Sequence, residues 1–360
     1  MSASEISPGS GAASERPILP WLPIERLPKP VLCVPLLAHW MWLAMRYRSL
    51  TLPSTINPKI ETGGLAGESK SAGLAQIGAS FARFVAPWRL VGPGEDPVAI
   101  RRAAGLDYPL IAKPDIGWCG FGVRRIDDDA ALSAYAAAFP RAASFIVQQL
   151  ITAPQEAGLF YMRQPGQLRG RLLGITLRHA PHVTGDGVRT VAALIHADPR
   201  TRRGATSYAA LLGPAALDRI PARGKCMVLT TVASLRVGAR YEDASAQVTA
   251  ALDGAVDRLA RAMPDFHLGR FDVRFASMAA LRRGEFSVIE VNGAGSEAIH
   301  FWDPALPLRA AFAGVFAKQR LLFQLGAEMR DRGARPIGAL ALSRAWLRQQ
   351  RLIAGYPPSN

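Results

Sequence analysis

Cysteine is scarce in this sequence. Cys33, Cys119 and Cys226 are widely separated and show no CxxC spacing. An odd number of scattered cysteines argues against a disulfide framework and against a clustered zinc site, so we expect a reducing compartment. The N-terminus also lacks a basic start followed by an apolar core and a cleavage site, and we therefore expect a cytoplasmic protein.

Long uncharged apolar runs are missing as well. The nearest candidate, residues 31–45, contains Pro35 and His39 and is followed by Arg46, and it is shorter than the roughly 20 residues that a membrane span needs. We expect a helix at residues 36–47 that packs on the main body. The alternative is a helix that lies on a membrane surface.

Acidic residues are outnumbered, 28 against 43 Lys and Arg, which gives a net charge of +15. Such a charge raises nucleic acid or an anionic membrane as a partner. The arginines are scattered, however, and no aromatic platform or recognition helix accompanies them. We expect no nucleic-acid partner, and phosphate-bearing or acidic small molecules suit the charge equally well.

Composition divides the chain into four predicted segments. Residues 1–16 are rich in Ser, Gly and Ala and are expected to be disordered. A Trp- and Pro-rich extension follows at 17–62, an α+β domain at 63–305 and a helical extension with a break near Gly333 at 306–360. Within the domain we predict helices at 72–84, 97–104, 129–138, 190–196 and 243–263, and strands at 110–113, 145–151, 157–163 and 169–178.

Two short strand-like segments carry the strongest chemical pattern. They are Arg270-Phe271-Asp272 and Glu290-Val291-Asn292. On neighbouring strands, residues at alternate positions share a face, so these oxygen-bearing side chains converge where Mg²⁺ could bind. The alternative is a solvated β-hairpin with the same residues by chance.

Lysine is rare, with six residues against 37 arginines, so a lysine beside a motif is less easily dismissed as surface filler. Lys113 ends a predicted strand and precedes a loop that contains Gly117, Gly120 and Gly122. Glycines let a loop approach phosphates closely, and a neighbouring cation neutralises their charge. Lys70 precedes the helix predicted at 72–84. For both lysines the alternative is an ordinary surface position.

The order of these features resembles the ATP-grasp superfamily, and within it the D-alanine:D-alanine ligase type of carboxylate-amine ligase. The resemblance covers roughly residues 63–304. It implies an ATP-grasp fold in which two α+β subdomains clamp ATP, with the nucleotide-clamp subdomain at about 106–151. It also implies ATP and two Mg²⁺ ions as cofactors, with Mn²⁺ as an alternative ion.

The resemblance assigns roles to individual residues. It implies nucleotide contacts from the two lysines, the glycine loop, an adenine-reading strand and a ribose-binding carboxylate at Glu156, for which Gln155 is an alternative. It implies that Arg270 stabilises the phosphoryl group during its transfer. It also implies that Asp272, Glu290 and Asn292 are metal ligands. The implied catalytic residues are Arg270 and Lys113, and the implied nucleotide-binding residues are Lys70, Lys113, Gly117, Gly120, Gly122, Gln148, Gln149, Leu150, Ile151 and Glu156.

Substrate contacts are expected from residues between and after these motifs. The Gly185-Asp186-Gly187 loop resembles loops of peptide-forming ATP-grasp ligases such as cyanophycin synthetase. For one candidate, His300, the alternative is a structural histidine. The candidates are Arg163, Arg178, Asp186, Arg189, Ser296 and His300.

We expect a ligase that activates a carboxylate as an acyl phosphate for attack by an amine or a similar nucleophile. The alternatives are a kinase without ligation and a non-catalytic nucleotide-binding protein whose N-terminus contacts a membrane or an acidic partner. The region before Lys70 is short compared with the Rossmann-like domain that such ligases usually carry there. The substrate and the oligomeric state therefore cannot be inferred from the resemblance.

Overall fold

The computed structural model describes residues 23–359. The tail predicted at 1–16 lies outside this range. Within it the protein has an α+β fold with two main antiparallel sheets and helices packed around them, which confirms the predicted fold class. No helix in the described part of the chain is long and apolar enough to cross a membrane.

Two helices precede the first sheet. They are α1 (Lys29–Arg46) and α2 (Lys70–Ala75). The helix predicted at 72–84 is wrong as a single element, because α2 ends at Ala75 and a separate 3-10 helix covers Ala79–Phe84. Gly78 lies between them with an extended backbone, at φ −57° and ψ 161°, and this interrupts the helical path.

The first sheet has four strands in the order β1-β4-β2-β3, and all neighbours are antiparallel. Asp96 and Asp128 cap the two helices of this region by accepting backbone N–H groups. One core joins helices and strands through Leu110, Leu132 and Tyr135. The elements are β1 (Trp88–Val91), α3 (Pro97–Ala103), β2 (Leu110–Pro114), β3 (Arg124–Ile126), α4 (Asp129–Ala138) and β4 (Phe145–Gln149).

The second sheet has five strands in the order β11-β10-β5-β6-β9, and a separate two-stranded sheet pairs β7 with β8. The strands are β5 (Gln155–Met162), β6 (Arg171–His179), β7 (His182–Thr184), β8 (Cys226–Val228), β9 (Arg240–Asp243), β10 (Leu268–Phe275) and β11 (Ser287–Asn292). The helices between them are α5 (Val191–Ala197), α6 (Pro199–Arg202), α7 (Ala205–Leu217), α8 (Ala250–Arg261) and α9 (Met278–Arg282).

The helix predicted at 243–263 begins later than expected. Residues 240–243 form β9, which pairs with β6, and Thr249 then caps α8 by accepting the Leu252 N–H. Leu252, Val256 and Leu259 of α8 face the sheet and join its main core. The predicted start is therefore divided between the end of β9 at Asp243, a 3-10 helix at Ser245–Gln247 and the cap at Thr249.

The C-terminal part is helical with a break near Gly333, as predicted, and consists of α10 (Leu308–Asp331) and α11 (Ala339–Ala354). The α1 helix packs on α10: Leu43 joins Phe323 in one core, and His39 Nδ1 lies 2.5 Å from Gln319 Oε1. The N- and C-terminal extensions thus contact each other. The domain limits stay predictions.

The two main sheets meet at β11. The Ala86 N–H, just before β1, donates to the Val288 carbonyl at 3.0 Å. Lys113 of β2 donates from Nζ to the Ile289 carbonyl at 2.7 Å. These contacts place the lysine of the first sheet beside the polar strands of the second.

Candidate functional site

The polar residues of β10 and β11 face each other in register. Asp272 is the direct antiparallel partner of Glu290, and Arg270 is the partner of Asn292. Since residues two apart on a strand share a face, all four side chains lie on one side of the sheet. They line one cavity of about 390 Å³. The convergence predicted from their spacing is present.

Asp272 is buried among positive charges. Its Oδ1 accepts from Arg270 Nε at 2.7 Å, and its Oδ2 accepts from Arg178 Nη1 at 3.0 Å and from Asn292 Nδ2 at 3.3 Å. Burial alone would raise the pKa of Asp272, but Arg270 and Arg178 overcome this and hold it below its usual range. The carboxylate is therefore ionised, and its charge is already partly balanced.

Two of the six lysines adjoin these strands. Lys70 Nζ, at the start of α2, lies 3.3 Å from Glu290 Oε1. Lys113 Nζ donates to Gln148 Oε1 at 2.8 Å besides its bond to the Ile289 carbonyl. Burial lowers the pKa of Lys113 to about 8, although Glu290 partly opposes that shift. Both side chains are buried, so neither is the surface lysine of the alternative interpretation.

The glycine loop between β2 and β3 covers the cavity, and Gly117 and Gly120 line it. Gly120 and Gly122 both have φ +72°, a left-handed conformation that favours glycine. A Cβ on Gly122 would lie 2.7 Å from Pro114 Cγ, so glycine is required there by contact as well. Cys119 lies in the same loop, where it is exposed and lines the cavity, and the surrounding protein raises the pKa of its thiol to about 11 by desolvation.

The C-terminal segment holds this loop. Gln349 of α11 donates from Nε2 to the Gly117 carbonyl at 3.1 Å, and the Ser359 hydroxyl donates to the Gly120 carbonyl at 2.7 Å. Arg236 adds a bond to the Cys119 carbonyl at 3.2 Å and places its guanidinium 4.1 Å from the centre of the Phe121 ring. The loop is therefore anchored from two sides.

The strand predicted to read adenine is β4, and it ends at Gln149. The Gln148 side chain is buried against Lys113, and the Gln149 backbone N–H donates to the Pro87 carbonyl at 2.7 Å. That N–H is used within the protein, so it is not available to adenine. Leu150 and Ile151 follow the strand, half-buried, and their contact with adenine stays a prediction.

Glu156 lies on β5 between two arginines. Its Oε1 lies 3.0 Å from Arg178 Nη1, and its Oε2 lies 3.3 Å from Arg274 Nη2. The ribose contact stays a prediction for Glu156 and for the alternative Gln155, and these ion pairs would compete with it. The pairs also connect Glu156 to Asp272 through Arg178.

Two of the six substrate candidates line the cavity, Arg178 and Ser296. Arg163 lies at the far end of β5, where its Nη2 donates to the Phe266 carbonyl at 3.4 Å. The other three, Asp186, Arg189 and His300, are not in the cavity wall either.

Asp186 and Arg189 form a local ion pair of 2.6 Å on the loop after β7. The Asp186 carboxylate also accepts the Val188 and Arg189 N–H groups. His300 is buried against Phe301, with ring centres 4.1 Å apart, and burial lowers its pKa. The Nδ1 atom of His300 is buried without a hydrogen-bond partner within residues 23–359, so its hydrogen bonding is not complete, and the substrate contact stays a prediction.

Several cavity residues lie outside the predicted motifs. Glu68 accepts the Gly293 N–H at 2.9 Å, and burial raises its pKa to about 7. Glu297 opens into the cavity, and the surrounding protein raises its pKa. Glu297 directly follows Ser296, in the segment where the sequence places substrate contacts, whereas Glu68 lies two positions before Lys70 and no motif spacing gives it a role. Further residues in the wall are Arg236, Tyr241, Trp346, Gln349 and Gln350.

The donor chemistry of the facing strands fits Mg²⁺. Asp272 and Glu290 offer carboxylate oxygens and Asn292 an amide oxygen, all on the cavity wall, and hard oxygen donors are those that Mg²⁺ prefers. A carboxylate has about four lone-pair sites. Asp272 Oδ1 accepts one hydrogen bond, from Arg270 Nε, so it has a lone pair left that could bind a metal ion. Within residues 23–359 no group of three or more His, Cys, Asp or Glu side chains is placed to hold a metal ion, and the predicted set contains only two carboxylates.

No protein-family model and no curated protein sequence matches this chain. Among solved structures it is similar to a bifunctional glutathione synthetase from Pasteurella multocida, with 14% identity and a TM-score of 0.41 over 76% of this chain. That match spans only 38% of the length of the synthetase.

It is also similar to D-alanine–D-alanine ligase from Bacillus anthracis, with 17% identity and a TM-score of 0.43 over 74% of this chain and 69% of the ligase. The structure of the same ligase complexed with ATP matches with 15% identity and a TM-score of 0.42, over 74% of this chain and 68% of the ligase. These matches include the ligase type that the sequence resembles. Because all TM-scores lie below 0.5, they carry no argument about function, which rests on the site geometry.

Proposed function

We propose that this protein is an ATP- and Mg²⁺-dependent ligase of the ATP-grasp type that activates a carboxylate and joins it to an amine or a similar nucleophile. One observation carries the proposal. Asp272 faces Glu290 and Arg270 faces Asn292 across two strands, beside Lys70 and under a glycine loop. Residues 63–305 would form the catalytic part, and the cytoplasm would supply its ATP.

The first step would transfer the γ-phosphoryl group. A carboxylate oxygen of the substrate attacks the γ-phosphorus, the bond to the bridging oxygen breaks, and ADP leaves. Charge builds on the phosphoryl oxygens during this transfer, and positioned cations stabilise it. Lys70, Arg178 and Arg270 line the cavity where that charge would develop.

The second step would join the nucleophile. The amine nitrogen attacks the acyl carbon, the carbon–oxygen bond to phosphate breaks, and inorganic phosphate leaves while the amine proton passes to a base or to solvent. Water would hydrolyse an acyl phosphate, so the site must exclude it. The glycine loop, held by Gln349 and Ser359, is suited to cover the cavity.

Mg²⁺, when bound, would offset phosphate charge and orient the β- and γ-phosphates. Asp272, Glu290 and Asn292 would hold it. Arg270 and Arg178 keep Asp272 ionised and in place. The two arginines would therefore position the metal ligand Asp272 and would also offset the charge of the phosphates.

The test is a screen for ADP release with Mg²⁺, ATP, candidate carboxylic acids and hydroxylamine as a generic nucleophile. A ligase is expected to release ADP and form a hydroxamate with an accepted acid, and Glu290→Gln should lower both by about 100-fold. Glu285→Gln is the matched control, since Glu285 pairs with Arg283 on the surface. Absence of ATP turnover with every acid would overturn the proposal.

The same screen separates the kinase alternative. A kinase of hydroxyl groups would release ADP without hydroxamate, because no acyl phosphate forms for hydroxylamine to trap. A kinase of carboxylates would give hydroxamate but no amide with any amine offered. The ligase proposal requires both the hydroxamate and an amide product.

A second candidate activity, contact with an anionic membrane surface, is favoured by the outer face of α1. Six large apolar side chains there are 43–69% exposed and, at 3.6 residues per turn, lie on one side of the helix. Lys29, Arg46 and Arg48 are exposed at the two ends of this helix, and basic residues near an exposed apolar face are typical of interfacial helices. The six are Val31, Val34, Leu37, Met41, Trp42 and Met45.

Vesicle sedimentation tests this second candidate. Binding to vesicles that contain phosphatidylserine should exceed binding to neutral vesicles, weaken at high salt, and fall in the double variant Val34→Ser and Leu37→Ser. Leu168→Ser is the matched control, because Leu168 is 84% exposed elsewhere. Equal binding by the double variant and the control would contradict a membrane role for α1.

A further inference from the structure

A second cavity, of about 430 Å³, adjoins the first one. Leu65, Ala66, Gly295 and Trp346 line both cavities, so the two spaces share a wall. Its volume lies in the range of about 300–1,000 Å³ that is usual for small-molecule sites. Lys70, Arg178 and Arg270, which line the first cavity, do not line the second one.

The wall of this second cavity is mostly apolar and comes largely from the two extensions. Trp40 of α1, Leu322 of α10 and Leu342 of α11 contribute to it, with Leu50 from the loop after α1. Trp40 Nε1 donates to the Leu50 carbonyl at 3.2 Å, which fixes the indole in the wall. An apolar wall of this kind selects hydrocarbon groups and excludes phosphates.

Lys318 of α10 is the one charged side chain among the described residues that line this cavity. Its ammonium has no hydrogen bond or ion pair within residues 23–359. Burial lowers the pKa of Lys318 to about 8, with Glu297 opposing and Arg270 adding to the shift. Lys318 lines this cavity together with Gly295 and Trp346, which also line the first cavity, so its side chain belongs to the lining beside the shared wall.

We propose that the second cavity binds the hydrocarbon tail of the carboxylate substrate, and that Lys318 attracts its carboxylate at the boundary with the first cavity. This inference rests on the proposed ligase function and names its substrate class: carboxylic acids with a medium-length alkyl or aryl tail. The single unpaired cation beside an apolar space matches an amphiphilic acid. Because the cavities share lining residues, a carboxylate at Lys318 would lie next to the cavity that Arg270 lines.

Binding of straight-chain acids to the full-length protein tests the proposal by calorimetry, without ATP. From butanoate to octanoate, affinity should rise about fourfold for each added methylene. Octan-1-ol should bind at least about tenfold more weakly than octanoate, because it lacks the charge that Lys318 attracts. Affinity that is independent of tail length would overturn the proposal.

Two tryptophan substitutions on α11 locate the site. Of the two cavities, Ser343 lines only the second. Ser343→Trp should therefore fill that cavity and lower the affinity for octanoate by at least about tenfold. Leu347→Trp is the matched control, since Leu347 is 44% exposed on the same helix and lies in neither wall. Equal affinity of both variants, or loss of ATP affinity instead of octanoate affinity, would overturn the assignment.

The two proposals fail differently. If octanoate binds as expected but no acid supports ADP release, the ligase function fails while the tail site stands. If acids support ADP release without regard to their tails, and Ser343→Trp changes nothing, the ligase function stands while the tail site fails.

Discussion

Asp272 and Glu290 face each other across β10 and β11, yet their surroundings differ. Asp272 is 2% exposed and bound by two guanidinium groups, whereas the Glu290 side chain is 25% exposed and has one lysine at 3.3 Å. Asp272 is therefore part of the folded charge network, and Glu290 remains open to the cavity. The two carboxylates should respond differently to substitution.

Glu290→Gln should separate activity from stability. The Lys70–Glu290 pair is partly exposed, and such pairs contribute about 0–1 kcal/mol, so the free energy of unfolding should change by no more than that. The loss of an anionic oxygen donor should still lower ADP release by about 100-fold. Urea unfolding and the ADP assay, run on the same preparation, check this.

Arg178→Met should be more costly to the fold. Arg178 bonds to Glu156, Asp272 and the Ala233 carbonyl, and its loss leaves buried acceptors with fewer donors. The free energy of unfolding should fall by about 1–3 kcal/mol, measured by urea unfolding. Arg283→Met breaks a surface pair of the same kind and should leave the urea midpoint unchanged. An equal midpoint for both variants would contradict the charge network.

Gly120→Ala should impair the glycine loop. At its φ of +72°, a residue with a Cβ is strained by a conformational energy of about 1–2 kcal/mol. The added Cβ would also clash with the Val232 side chain. Gly94→Ala has the same kind of strain at φ +79° but no atom within 4 Å of the new Cβ. ATP affinity, measured by calorimetry, should fall for Gly120→Ala only. An equal loss in both variants would point to strain alone.

Octanoate binding should depend on pH through Lys318. Its lowered pKa of about 8 means that the ammonium is charged below pH 8 and neutral above it. The carboxylate of the ligand is ionised throughout, so affinity should fall as pH rises from 7 to 9, by roughly tenfold.

Calorimetry across this pH range gives the profile, and Lys318→Met serves as the control. Arg270 stays charged over the range, and any contribution from Glu297 would persist in the Lys318→Met variant. A profile that is flat for the wild type, or unchanged in the variant, would contradict the role of Lys318.

Local sequence signals were sufficient for several elements. The helix predicted at 129–138 was placed correctly because its start is marked by acidic residues and its end by Pro140. The alternation in Arg270-Phe271-Asp272 and Glu290-Val291-Asn292 correctly predicted that their polar side chains share one face of the sheet. Lys70 and Lys113 are buried rather than ordinary surface lysines, and their nucleotide contacts stay predictions.

Contacts between distant segments could not be predicted in this way. The start of α8 was misplaced because Asp243 ends β9, which pairs with β6, and a 3-10 helix at Ser245–Gln247 precedes α8. Asp186 and Arg189 form an ion pair within one loop outside the cavity wall, a placement that their sequence pattern does not reveal, and their substrate contacts stay predictions. The contribution of α11 to both cavities depends on how the C-terminus packs, which no local pattern contains.

The most direct test of the central claim is a calorimetric titration of the full-length protein with ATP, with Mg²⁺ and with EDTA. The ligase site predicts ATP binding in Mg²⁺ that weakens by at least about tenfold in EDTA and in Asp272→Asn, while Glu285→Gln binds as the wild type does. Absence of ATP binding, or equal affinity in Mg²⁺, in EDTA and in Asp272→Asn, would contradict the assignment of these strands to a metal-nucleotide site.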